Sequence, residues 1–192
     1  MLALKTVDQG LVLKAAAGDA GSAEALLAEI WPAAYRSAVA LCGGDAATAQ
    51  DAVQNACLSC LDGLPKLREP EKFIAWFMRI LTRAARKELK RNARWRSASQ
   101  SDCTQIFPGD ESWSFLRTCV LELPKALREA LILTTIVGYS SDEVAAILRV
   151  PAGTVRYRVH EARKRLNVLL DRSERDTNRR LAGILTDGAS NG

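Results

Sequence analysis

Apolar residues recur at spacings of three and four along most of the chain, as on one face of an α-helix. No segment alternates apolar and polar residues in the manner of a half-buried strand. Capping residues, glycines and prolines divide the first half into four predicted helices, at residues 23–30, 33–41, 45–63 and 73–92. The pattern therefore predicts an all-α protein.

The periodicity is interrupted at residues 97–112, "SASQSDCTQIFPGDES". This stretch is rich in Ser, Asp, Gly and Pro, a composition typical of flexible linkers. It predicts two small helical domains, residues 1–96 and 113–170, joined by a linker. Residues 171–192 form a polar C-terminal tail, for which we expect mostly disorder.

The second domain contains the signature of two short helices joined by a tight turn. In "GYSSDEVAAILRVPAGTVRYRV", Gly138 ends one helix, and Ser140 with Glu143 forms a capping box for the next. Pro151 then favours a new helix start, with Thr154 as its candidate N-cap. This order of signals predicts a helix-turn-helix.

The second helix of that motif divides into two faces when successive residues are turned by about 100°. Its inward stripe is apolar, and the opposite face carries donors, an acceptor and an aromatic ring, with arginines at both margins. Such a face suits base edges, while guanidinium groups suit phosphates. A solvated basic helix is the alternative, but the ordered caps and turn favour DNA reading. The inward residues are Val155, Val159, Ala162 and Leu166, and the outward ones Tyr157, His160, Glu161 and Lys164.

Charge supports the same interpretation. The formal net charge is +5, and the basic residues concentrate in two segments, 79–96 and 149–165. Two local basic patches favour a polyanionic partner more than the total charge does.

Five cysteines, including the pair in "CLSC", raise a redox or zinc interpretation. Cys57 and Cys60, however, fall in an apolar series with the spacing of a helix core, where small buried cysteines are common. Because His160 is the one histidine, a four-ligand zinc site has few candidates. We expect no metal and no cofactor, and a redox role for Cys57, Cys60 or Cys103 stays open.

No run of about 18 apolar residues occurs, and the first residues lack the pattern of a secretory signal. The expected location is the cytoplasm, without direct membrane insertion.

At this point two stretches resemble a known family. "LPKALREALILTTIVGYSSDEVAAILRVPAGTVRYRVHEARKRL" is similar to region 4 of the extracytoplasmic-function (ECF) sigma factors, a branch of the bacterial sigma-70 family. "DAVQNACLSCLDGLPKLREPEKFIAWFMRILTRAARKELKRN" resembles region 2, with its D-x-x-Q and F-x-x-W-F-x-x-I motifs. The resemblance implies a protein that binds core RNA polymerase and directs it to promoters, with region 2 at the −10 element and region 4 at the −35 element.

The resemblance also assigns roles to residues. In region 2, it implies a core-polymerase face for the β′ clamp helices, with the β subunit as a further contact, and a −10 surface made of one loop and one flank of a helix. In region 4, it implies −35 reading by the outward face. The polymerase residues are Asp51, Gln54, Asn55 and Leu58; the −10 residues are Lys66, Leu67, Arg68, Arg79, Arg83, Arg86 and Lys90; the −35 residues are Thr154, Arg156, Tyr157, His160, Glu161 and Lys164.

Departures from the family pattern bear on specificity. The family often has a small residue in place of Tyr157 and a basic residue in place of Glu161, so we expect an uncommon −35 sequence. For Phe73 and Trp76, stacking on melted bases is an alternative interpretation. Their helical spacing with Phe77 and Ile80 favours the core instead.

The family is commonly controlled by an anti-sigma factor, often at the membrane, and the resemblance implies one here. One alternative is a sigma-like decoy that occupies an anti-sigma factor without binding DNA. Such a decoy would not need the basic DNA-facing positions that this chain keeps. A helix-turn-helix regulator would bind DNA independently of polymerase. An enzyme, with its small-molecule substrate, has the least support, because no nucleophile–base pair or phosphate loop appears.

Overall fold

The computed structural model describes residues 6–95 and 118–187, with side chains for 6–92 and 118–170. All regular elements in these ranges are helical, which confirms the predicted all-α fold. The predicted linker, 97–112, lies outside the described residues. The helices are α1 Gln9–Ala16, α2 Ala20–Leu41, α3 Ala46–Gly63, α4 Phe73–Trp95, α5 at 118–122, α6 Lys125–Leu131 with a π-helical extension Ile132–Val137, α7 Ser141–Leu148 and α8 Ala152–Asp187; short 3-10 turns lie at Leu64–Lys66 and Pro70–Lys72.

Aspartates begin the first three helices. Side chains of Asp8 and Asp19 accept from the backbone N–H two residues ahead, at 2.8 and 3.2 Å. Asp45, the predicted cap of α3, accepts from the N–H of Thr48 at 3.1 Å. Each carboxylate satisfies a donor that the first helical turn leaves without a partner.

One predicted helix boundary is wrong. Residues 23–30 and 33–41 belong to a single helix, α2, with Pro32 inside it. Proline removes one backbone donor and crowds the preceding turn, which usually ends or kinks a helix. Here burial on both sides of Pro32, at Ile30 and Ala34, keeps the two halves in one element.

The first helical unit packs α2, α3 and α4 around aromatic residues of α4. Phe73 and Phe77 are buried, with ring centroids 6.0 Å apart and a 16° angle between their planes, which confirms their predicted core position. Trp76 is half-buried. Cys57 and Cys60 are also buried. The apolar series that contains these cysteines also predicts a buried Leu61, but Leu61 is 39% exposed near the C-terminal end of α3.

The helix-turn-helix is confirmed in α7 and α8. Ser140 and Glu143 form the predicted capping box, at 3.2 and 2.7 Å, and Gly138 takes a left-handed φ of 97°. Because α8 begins at Ala152, Thr154 lies inside its first turn, so the predicted N-cap is wrong. Pro151 already supplies the helical start, and its carbonyl accepts from Thr154 N–H at 2.9 Å.

The expectation of a disordered tail is also wrong over most of its length. Helix α8 continues to Asp187. The sequence contains no Pro or Gly between Thr154 and Ala182, so no residue type interrupts the helix over that stretch.

The two helical units share one apolar core. Helix α4 and the end of α2 pack against the π-helical extension and α7, so that buried residues of both units are contiguous. A smaller separate cluster lies between α5, α6 and α8. The second unit contributes to the shared core Ala130, Ile132, Leu133, Val137, Tyr139, Val144, Ile147 and Val155.

Candidate nucleic-acid interface

Helix α8 presents the two faces that its sequence predicts. Val155 and Ala162 are fully buried, and Leu166 is 9% exposed. Tyr157 is 65% exposed, and His160 is exposed beside it. Because the apolar stripe anchors the helix, the polar side chains are held outward in a fixed register. The further exposed residues of this face and its margins are Arg156, Arg163, Lys164 and Arg165, while Thr154 and Arg158 are half-buried.

Glu161 differs from its neighbours on that face. Its Oε1 accepts from Nε of Arg165 at 2.8 Å, and its side chain is only 23% exposed. The hydrogen bond from Arg165 is the main cause that lowers the pKa of Glu161, aided by nearby Lys164 and His160. The carboxylate therefore stays charged and engages a basic residue of its own helix.

The basic flank predicted on α4 faces the second helical unit. Arg79 and Arg83 line a cleft of about 610 Å³ together with Arg149, the residue that ends α7. Burial, and next the charges of Arg149 and Arg83, lower the pKa of Arg79. Arg149 also has a left-handed φ of 55°, uncommon for a residue with a side chain. Three guanidinium groups thus converge on one cleft.

Arg86 and Lys90, the other members of the flank, line a second cavity of about 420 Å³. Here Arg86 is paired: its Nε and Nη2 both donate to the carboxylate of Glu129 on α6. Glu129 is 8% exposed and Arg86 is 37% exposed. Lys125 and Arg128 complete the basic rim of this cavity.

The loop that belongs to the predicted −10 surface lies between α3 and α4. Lys66 and Arg68 are exposed, whereas Leu67 is half-buried against the core of the first unit. Burial of the middle side chain fixes the loop, so the two flanking cations project into solvent.

The predicted polymerase face on α3 is mostly exposed. Leu58 is 61% exposed, and Gln54 and Asn55 are also exposed. Two residues of the face contact α4: Asn55 Nδ2 donates to Glu88 Oε1 at 3.1 Å, and Asp51 Oδ2 lies 2.7 Å from Arg91 Nη2. These contacts orient the polar residues. Leu58, in contrast, is an exposed apolar group on a polar surface.

Sequence reasoning missed several residues that complete these surfaces. Arg149 and Lys87 border the Arg79 cleft, and Glu129 forms an ion pair with Arg86. The basic cluster that begins at Arg149 was a signal for the first of these. Nothing in the local pattern of "KALREAL" marks Glu129, because its partner is 43 residues away in sequence.

Within the described ranges, no three His, Cys, Asp or Glu side chains are grouped to hold a metal ion. In the same ranges no helix is long and apolar enough to cross a membrane. Burial raises the pKa of Cys57 to about 11 and that of Cys60 to about 12, the latter with a further contribution from Cys57. Cys103 lies outside the described residues.

Family models match both helical units in order. Sigma-70 region 2 matches residues 23–95, and sigma-70 region 4 matches residues 116–166. The RNA polymerase sigma-H factor of Pseudomonas aeruginosa is 30% identical, over 66% of this chain and 75% of the relative. The chain is an ECF sigma factor of the sigma-70 family. A second relative of this sigma factor, the ECF sigma factor EcfG of Rhodopseudomonas palustris, is 30% identical over 66% of this chain and 74% of its own.

Solved structures agree with this membership. The sigma factor superposes on CnrH, solved in complex with the cytosolic domain of CnrY, with a TM-score of 0.66 and 27% identity, covering 85% of this chain and 97% of CnrH. It also superposes on RpoE, solved in complex with the anti-sigma factor NepR from Bartonella quintana, with a TM-score of 0.59 and 25% identity, covering 77% and 96%. The fold predicted from the sequence is thus the fold of these relatives.

Proposed function

We propose that this sigma factor binds core RNA polymerase through α3 and directs it to promoters through two DNA readers. The first unit, residues 1–96, recognises and opens the −10 element, and the second, 113–170, binds the −35 element. Its role is binding rather than catalysis. Each reader is weak alone, and the tether raises the effective concentration of one when the other is bound.

The observation that carries the proposal is the presence of a separate exposed surface on each matched region. The α8 face carries Tyr157 and His160 outward above a buried stripe. The α3 face carries Leu58. Cations of α4 and of the preceding loop lie on the same unit as α3. Polymerase contact and DNA contact thus have separate residues.

Control by an anti-sigma factor belongs to the same proposal. RpoE, whose structure matches 77% of this chain, was solved with one. A partner of this kind would keep the sigma factor from polymerase until a signal arrives. Action on promoter DNA places the protein in the bacterial cytoplasm, with attachment to the membrane only through such a partner.

Reconstitution with core RNA polymerase tests the proposal. Sequencing the transcripts made from genomic DNA should reveal shared −10 and −35 elements upstream of their starts. Replacement of Tyr157 by Ala should alter the shared −35 sequence, while Arg36→Gln, an exposed charge on α2 outside the proposed surfaces, should leave it unchanged. Absence of stable association with core polymerase would refute the proposed function.

Tight sequence-specific binding by the free protein would instead favour a regulator that acts without polymerase. A sigma factor's separate readers predict weak binding by the free chain. The comparison of free protein with holoenzyme on the same promoter fragment distinguishes the two.

A further inference from the structure

An ion pair links the two regions of the sigma factor where they pack against each other. Glu129 belongs to region 4 and Arg86 to region 2, and the guanidinium of Arg86 donates two hydrogen bonds to the carboxylate. Such a two-bonded pair fixes orientation as well as distance. Because Glu129 is 8% exposed, the carboxylate has little access to water once the regions are in contact.

Apolar contacts surround this pair. Leu41, Ala85 and Ile132 line the same cavity as Arg86 and Glu129, and Ala85 and Ile132 are 2% and 1% exposed. Burial of a carboxylate without a partner costs free energy, so the ion pair makes the apolar contact possible at this place. The apolar contact and the ion pair therefore form and separate together.

The pair also occupies a DNA-binding group. Under the proposed function, Arg86 lies on the flank of α4 that follows the DNA backbone. A guanidinium binds carboxylate and phosphate with the same planar set of donors, here Nε and Nη2. While Glu129 holds both donors, Arg86 has no Nε–Nη2 edge to offer a phosphate. Glu129 stands where a phosphate oxygen would stand.

We propose, on the basis of that function, that region 4 folded onto region 2 is a self-inhibited state in which Glu129 masks Arg86. Separation of the regions releases Arg86 for DNA and frees α8 to reach the −35 element. Only molecules in the open state can bind DNA through the α4 flank. The apparent affinity for DNA is therefore the affinity of the open state multiplied by the fraction of molecules that are open.

The first test measures closure in the free full-length chain, without DNA or polymerase. Spin labels are placed at Lys14→Cys on α1 and Asn167→Cys on α8, both exposed, with Cys103→Ser to remove a competing thiol. The starting chain should show a dominant short distance. Glu129→Gln should shift the distribution to longer distances, since the amide keeps the shape of the side chain and loses its charge. Arg86→Gln should do the same from the more exposed side of the pair.

Two further variants distinguish the effect of breaking the Arg86–Glu129 ion pair from the effect of changing the net charge. Exchanging both residues, Arg86→Glu with Glu129→Arg, should restore the short distance. Glu122→Gln removes the same charge from an exposed position in α5 and should leave the distance unchanged. Far-ultraviolet circular dichroism confirms that each variant keeps its helices.

The second test measures affinity for a random-sequence DNA duplex by fluorescence anisotropy at low salt. Glu129→Gln should bind about tenfold more tightly than Glu122→Gln, as expected if the closed state dominates. Equal affinities of these two variants would overturn the masking of Arg86. A long distance in the starting chain would overturn the closed state, and unchanged distances in both Glu129→Gln and Arg86→Gln would overturn the role of the ion pair in holding it. If no variant binds DNA, the proposed function is at fault, and the distances still decide whether the pair closes the molecule.

Discussion

Glu161 and Arg165 form an ion pair one turn apart on the proposed −35 reading helix, with Oε1 and Nε separated by 2.8 Å. This pairing alters what the sequence suggested for Glu161. An acidic residue on a DNA-reading face was expected to accept from a base, yet the carboxylate already accepts from Arg165. It therefore restrains a cation that would otherwise be available to phosphate.

The corresponding prediction concerns Glu161→Gln. Release of Arg165 and loss of a negative charge should tighten binding to promoter DNA. If Arg165 gains a phosphate contact, the slope of log affinity against log salt should steepen by about 0.9. Anisotropy titrations of the holoenzyme on a promoter fragment at several salt concentrations measure both effects. The double variant Glu161→Gln with Arg165→Gln should return the slope to its starting value, and an unchanged slope in the single variant would contradict the release of Arg165.

The elements that sequence could predict were those with local causes. The capping box at Ser140 and the left-handed Gly138 depend on residues within one turn, and both are confirmed. The buried stripe of α8 follows from helical periodicity alone. The helix boundary predicted at Pro32 was wrong, because the packing that keeps α2 continuous comes from distant helices.

The interaction between the two regions was beyond sequence reasoning. Arg86 and Glu129 are 43 residues apart, and each looks like an ordinary surface charge in its own helix. Periodicity places Arg86 on a flank but does not identify what faces it. The fold of each region was thus predictable, whereas the contacts between regions were not.

Leu58 and Leu64 provide a matched pair for the polymerase face. Leu58 is 61% exposed and Leu64 is 2% exposed. We predict that Leu58→Ala changes the free energy of unfolding by less than about 0.5 kcal/mol. It should weaken binding to core polymerase about tenfold, as an apolar anchor does at an interface.

The control substitution behaves in the opposite way. Leu64→Ala should destabilise the fold by about 2–5 kcal/mol, because it leaves a cavity in the core. Chemical denaturation and titration with labelled core polymerase measure the two quantities. Full polymerase affinity in Leu58→Ala would exclude Leu58 from the interface.

Cys57 and Cys60 should be inert in the folded protein. Burial raises their pKa values to about 11 and about 12, so the thiolate fraction of Cys60 at neutral pH is lower than that of a free thiol by about three orders of magnitude. We predict that iodoacetamide at pH 7.5 leaves both unmodified in the native chain and modifies both in urea. Mass spectrometry after digestion identifies each site. Rapid native modification of either residue would restore the redox interpretation of "CLSC".

Gly43 and Gly18 have similar backbone conformations, but only Gly43 packs against the other region. Both have a left-handed φ, 67° and 95°. A Cβ at Gly18 would meet nothing within 4 Å, whereas a Cβ at Gly43 would lie 2.8 Å from Cδ2 of Leu121 in region 4. Alanine at either position therefore incurs backbone strain of about 1–2 kcal/mol, but at Gly43 it also collides with the other region.

We predict that Gly43→Ala lowers the free energy of unfolding by about 1–3 kcal/mol more than Gly18→Ala, the usual cost of overpacking. Chemical denaturation of the two variants under identical conditions measures the difference. Gly43→Ala together with Leu121→Ala should remove most of the excess, because the second change makes room for the new Cβ. An equal loss of stability in Gly43→Ala and Gly18→Ala would mean that Leu121 does not contact Gly43 in solution.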